Sequence, residues 1–210
     1  MTEAESHTIG LAYDDTIFTA SARTVDFNGQ ALIPRFTYFQ ATSVYDGNGR
    51  TSDPADRQLR VYATTLRGVI GFHEDVTASL TLPYLFKELK TTTGGQRMRL
   101  NSDGLGDVSV VGKWRFFKLP ELGGTSEAAG FLGLELPTGK DDARDGGMRL
   151  PQPLQPGSGS VDGILGVAFT RLWDGGRWLV NADAFYNANS EANDYQFGNV
   201  LRFDVGGQFR

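Results

Sequence analysis

The chain of 210 residues contains no cysteine. That absence excludes a disulfide framework, an iron–sulfur cluster and a thiol nucleophile. Only two histidines occur, His7 and His73, which leaves no multi-histidine metal site. His73 reads as a solvated turn residue beside Glu74 and Asp75 rather than as half of a Ser–His pair. No stretch approaches the roughly 18 continuous apolar residues of a membrane helix. Cations are in deficit, 20 Lys and Arg against 25 Asp and Glu, a formal charge of −5. The chain therefore lacks the basic excess of a nucleic-acid binder. The start, Met1 to Ser6, is polar and acidic, without the basic and then apolar run of a secretory leader. The expectation is a protein that stays inside the cell, or a copy that has lost its leader. No catalytic residue, metal ligand set or cofactor is expected.

What is present is glycine and alternation. There are 27 glycines, nearly twice the roughly 7% of average proteins. Val76, Ala78, Leu80, Leu82, Tyr84 and Phe86 share one parity, opposed by Thr77, Ser79, Thr81 and Lys87. Val108 to Phe117, Val161 to Trp173, Trp178 to Asn187 and Phe197 to Arg210 repeat the pattern. Ala128 to Leu136, Leu32 to Val44 and Leu59 to Phe72 show it less cleanly. Alternation separates apolar from polar side chains only in a strand. The reading is about eight strands and no helix. Most run about 10 residues or more, the length of a tilted strand that crosses a bilayer.

Connections alternate in length. Phe72 to Val76 and Trp173 to Trp178 read as tight hairpins, the second with the Asp-Gly and Gly-Gly steps that supply positive φ. Lys118 to Ala128 reads as a mid-length link. Asp46 to Gln58, Lys90 to Asp103, Gly139 to Ser160 and Asn189 to Gln196 read as long polar loops. Short turns on one side and long loops on the other describe an up-and-down barrel. The expected fold is all-β, an up-and-down antiparallel transmembrane β-barrel with about eight strands present. Residues 31–210 form the barrel, and 1–30 a segment that is disordered or plug-like, with Thr8 to Tyr13 as a short strand, a plug or a tail.

Aromatics near strand ends (Phe72, Tyr84, Phe86, Trp114, Phe116, Trp173, Trp178) suit an interfacial girdle, so the apolar parity is expected to face outward. The lumen lining is then Arg35, Arg67, Lys87, Lys113, Arg115 and Arg202 with Asp107, Glu135, Asp162, Asp183 and Asp204. Mixed signs suit mutual pairing within the wall or a weakly selective pore lining. Arg149, Pro151, Pro153 and Pro156 mark a stiff loop segment expected to fold over or into the mouth as a constriction. Two alternatives stay open. One is a soluble lipocalin-like barrel with its apolar face turned inward to a hydrophobic ligand. The other is a structural or adhesive outer-membrane barrel.

Three weaker patterns carry little. Gly139-Lys140-Asp141 lacks the Ser or Thr that follows a P-loop lysine. Asp141, Asp142 and Asp145 form an incomplete calcium loop, since Ala143 and Gln152 fall at ligand positions. They read as a solvated acidic loop, with ion bridging to lipopolysaccharide phosphates as the functional reading. Gly157 to Ser160 precedes a strand and reads as a turn.

A resemblance enters at Gly104-Leu105-Gly106-Asp107 and the strand Val108 to Phe117. This block resembles the "GIGD…GKYRF" strand of the MetA-pathway of phenol degradation family of outer-membrane proteins. Leu134 to Lys140 is similar to the family's "KLPTG" strand end, and Leu154 to Asp162 to its "LQPGTGSWD" segment. The resemblance implies a Gram-negative outer-membrane β-barrel that passes small hydrophobic or aromatic compounds. Its partners would be the lipid bilayer, lipopolysaccharide and a small solute. It implies no catalytic residues. The chain departs from the family in its missing leader and in its end at Phe209-Arg210, which reads as a fragment of a larger barrel with strands missing at the C-terminal end.

Overall fold

The computed structural model describes residues 19–46 and 49–209. Thr8 to Tyr13 lie outside the described residues. Among the described residues fifteen strands run in order: β1 (Gln30–Ala41), β2 (Val44–Asp46), β3 (Gly49–Thr51), β4 (Gln58–His73), β5 (Val76–Thr93), β6 (Gln96–Leu105), β7 (Val108–Glu121) and β8 (Gly124–Leu136), then β9 (Arg144–Asp145), β10 (Met148–Arg149), β11 (Asp162–Trp173), β12 (Trp178–Ala188), β13 (Glu191–Ala192), β14 (Tyr195–Gln196) and β15 (Val200–Phe209). A 3-10 turn spans Gln152–Leu154.

Eight long strands build one antiparallel sheet in the order β1-β4-β5-β7-β8-β11-β12-β15, curved into a half-barrel. Two links expected as loops are wall instead. Lys90 to Asp103 is the β5/β6 hairpin, turned at Gly94-Gly95 with both φ positive. β6 and β7 act as one strand broken at Gly106-Asp107, pairing successive halves of β5. Lys118 to Ala128 is not a mid-length link, because β7 runs on to Glu121 and β8 starts at Gly124. Glycine and polar composition at these two places masked strands that continue beyond the apolar zone. A register shift between Arg115 and Phe117 puts both Phe116 and Phe117 on the outer surface.

The apolar parity faces outward. Leu32, Phe36, Leu66, Leu80, Leu82, Val110, Leu132, Leu134, Leu165, Val167, Phe169, Leu201, Phe203 and Val205 are all exposed. Aromatic rows bound this band. Tyr38, Tyr62 and Phe86 form one across β1, β4 and β5, with centroids 5.0 and 6.0 Å apart. Trp173, Trp178 and Phe209 form another across β11, β12 and β15 at the short-turn end, at 6.3 and 4.7 Å. Ten residues separate Tyr62 from Phe72 on β4. At about 3.3 Å per residue and a tilt of about 40°, that step is roughly 25 Å tall, the height of a barrel's lipid-facing band.

Candidate functional site

The concave face carries the other parity. Cross-strand register sets Lys113, Phe131, Gly166, Phe185 and Arg202 in one row across β7, β8, β11, β12 and β15. Gly166 has no side chain to fill its place, so the two phenylalanine rings meet over it, 5.0 Å apart. Lys113 lies 5.7 Å from the Phe131 ring and Arg202 5.1 Å from the Phe185 ring. Such cation–π contacts strengthen where water is excluded. Ala129, Ala168, Val111 and Ile164 complete the buried floor.

Residues 19–29 cross this floor as a strap near the short-turn end. Their backbone is captured by wall side chains. The N–H of Ala20 donates to Asp183 Oδ2 at 2.6 Å. The N–H of Ala22 donates to Thr170 Oγ1 at 2.8 Å, and that hydroxyl donates to Asn181 at 2.7 Å. Lys113 Nζ donates to the carbonyls of Ser21, at 3.1 Å, and Arg23. The N–H of Val25 donates to Thr77. Gly71 then pairs by backbone with Asn28 and Gly29, leading the chain into β1. Small residues let the strap lie close: Ala20, Ser21 and Ala22 are fully buried. Beside it, Arg115 bridges Asp75 and the buried Glu127 at 2.8 and 2.9 Å.

The opposite mouth is covered by the segment 137–161. Asp107, at the β6/β7 break, holds it at two points. Oδ1 accepts from the Gly139 N–H at 2.8 Å, and Oδ2 accepts from the Ser158 N–H and hydroxyl. Gly106, Gly139 and Gly157 pack backbone to backbone, and a Cβ on Gly157 would stand 2.7 Å from the Gly139 carbonyl carbon. The three sequence blocks that carry the family resemblance therefore converge on one carboxylate. The segment then reaches across to β4, β5 and β6. Ala143, Leu150 and Leu154 pack on Leu59, Leu89 and Leu100. Buried Gln155 ties Ala143 to Leu150.

The expected lining residues fall into separate groups. Lys87 donates to the carbonyls of Pro153 and Gln155 at 3.1 and 2.6 Å. Glu135 and Asp162 are cross-strand neighbours below the same segment, and Asp162 accepts from Ser160 and Ser190. Arg202 pairs with Asp183 at 3.6 Å and with Asp204. Lys113 and Asp183 hold the strap, and Arg115 lies beside it in its pairs with Asp75 and Glu127. Arg67 is buried and donates to Thr81, while Arg35 is half-buried on β1. In the mouth segment Pro156 is buried; Pro151, Pro153 and Arg149 are exposed, and Arg149 donates to the Asp141 carbonyl. Sequence reasoning missed Glu127 and Gln155, and it put Thr170 and Asn181 on the polar parity without singling them out. The polar parity extended past Ala128 would have found Glu127.

At the long-loop end the outer face changes character above the aromatic row. Glu88 lies buried among Arg60 at 3.4 Å, Lys90 at 3.5 Å and Arg99. Arg97 pairs with Asp56 at 3.3 Å. Nearby Arg57 is taken up by Asp53, whose carboxyl its side-chain hydrogen bonds hold below the usual range.

Residues 14–209 match the model of a family described as Putative MetA-pathway of phenol degradation. No curated protein matches the chain.

Proposed function

Since the chain belongs to the MetA-pathway of phenol degradation family, we propose that it is an outer-membrane β-barrel wall that passes small hydrophobic or aromatic compounds. The observation that carries this reading is the outward apolar band about 25 Å tall between aromatic rows, with charged and polar side chains on the concave face. A soluble carrier would turn the apolar face inward. No covalent chemistry is involved. Solute moves along the concave face, past the polar lining from Arg67 to Arg202, between the strap at one end and the 137–161 segment at the other. The strap of residues 19–29 acts as the plug, and the long strands from β1 to β15 as the wall.

The test is insertion into phosphatidylcholine vesicles followed by flux of a small phenol and a matched charged solute. Vesicle insertion with phenol flux above protein-free vesicles supports the reading. Removal of Arg149 to Pro156 is expected to raise that flux. A protein that stays in the aqueous phase, or inserts without any flux, contradicts it.

A further inference from the structure

We infer that the outer face of β4, β5 and β6 carries a binding site for the phosphate groups of an anionic lipid head group. The inference rests on the outer-membrane reading and commits to the lipid A head group of the leaflet that the long loops face.

The site is built on rungs of the sheet. Tyr38, Tyr62, Phe86 and Asp103 form one rung, and Gln40, Arg60, Glu88 and Asn101 the next rung outward. Lys90 and Arg99 sit opposite each other one step farther out. The aromatic rung marks where acyl chains end and head groups begin. Arg60, Lys90 and Arg99 stand immediately beyond that level, on the surface that turns toward lipid.

Charge decides the ligand. All three cations converge on the single carboxylate of Glu88, whose side chain is only 4% exposed, against 59% for Arg99. The anion is thus hidden beneath the cations; these four groups sum to +2, and to +1 with Asp103 on the rung below, in a chain whose total is −5. The other end has no such excess, because Arg171 meets Glu121 one to one at 2.5 Å. Guanidinium groups match phosphate in a forked geometry. Glu88 fixes the spacing of the three heads before a phosphate arrives, which reduces the ordering cost of binding. Tyr84 donates to Asp103 at 2.7 Å just below and closes the rim.

The experiment uses the full chain in phosphatidylcholine vesicles doped with bisphosphorylated lipid A or with its dephosphorylated form. The variant is Arg60→Gln, Glu88→Gln, Lys90→Gln, Arg99→Gln, which removes the cations without stranding a buried carboxylate. At about a fivefold effect per surface charge, losing a net two charges lowers lipid A affinity roughly 30-fold. Glu121→Gln, Arg171→Gln serves as the control and keeps wild-type affinity. Native mass spectrometry of retained lipid gives a second readout. Binding that is equal for the two lipids, or unchanged in the quadruple variant, overturns the inference while leaving the barrel reading intact. Failure of the wild-type chain to enter undoped vesicles overturns both.

Discussion

Asp107 accepts both the backbone N–H and the hydroxyl of Ser158 through one oxygen, at 2.5 and 2.7 Å. Its other oxygen takes the Gly139 N–H. One carboxylate therefore ties the break between β6 and β7 to both ends of the mouth segment. An amide can accept at only one of these positions. Asp107→Asn is expected to destabilise the segment by about 1–3 kcal/mol. Amide exchange across residues 139–158 should rise while β11 and β12 keep their protection.

Phe185 occupies the space above Gly166, and a Cβ there would overlap the ring. Gly166→Ala is expected to cost about 1–3 kcal/mol in urea unfolding from detergent. Combined with Phe185→Leu, the two costs should fall short of their sum, because the smaller side chain relieves the overlap. Full additivity would contradict the packing described.

Lys113 holds the strap by two carbonyls, of Ser21 and Arg23. Lys113→Met keeps the bulk and removes the donors. Unsatisfied carbonyls cost about 1–3 kcal/mol, so exchange at Ala20 and Ala22 is expected to rise by roughly tenfold or more. Unchanged exchange would mean that the strap is held by other contacts.

Glu127 is buried against Arg115, whereas Glu121 meets Arg171 at the exposed hairpin tip. Removing Glu127 takes away the buried partner of Arg115 and leaves only the part-exposed Asp75 to balance it. Glu127→Ala is expected to lower stability by about 3 kcal/mol. Glu121→Ala should leave the unfolding midpoint unchanged within error.

Much of the wall was legible in the sequence because strand parity is a local signal. Leu80, Val110 and Val167 fall on the outer surface for the same reason that Thr77 and Lys113 fall on the inner one. What parity could not carry was structure without a period. The strap has none, since side chains as distant as Asp183 capture its backbone. The β5/β6 hairpin lies beyond the apolar zone, where the outer face turns polar and Leu89 and Leu100 turn inward instead. Glu88 shows the limit directly: it shares the parity of Phe86 yet is buried, because Arg60, Lys90 and Arg99 close over it. The convergence on Asp107 joins blocks tens of residues apart, and only folding reveals it.

The central claim is the outward orientation of the apolar parity, and the lack of native cysteine makes it directly measurable. Single cysteines placed in turn at residues 164–170 of β11 would each carry a spin label in phosphatidylcholine vesicles. Collision with lipid-soluble oxygen is expected to peak at Leu165, Val167 and Phe169, with minima at Ile164, Ala168 and Thr170. The opposite phase, or access of Leu165, Val167 and Phe169 to a water-soluble relaxant, would contradict the account.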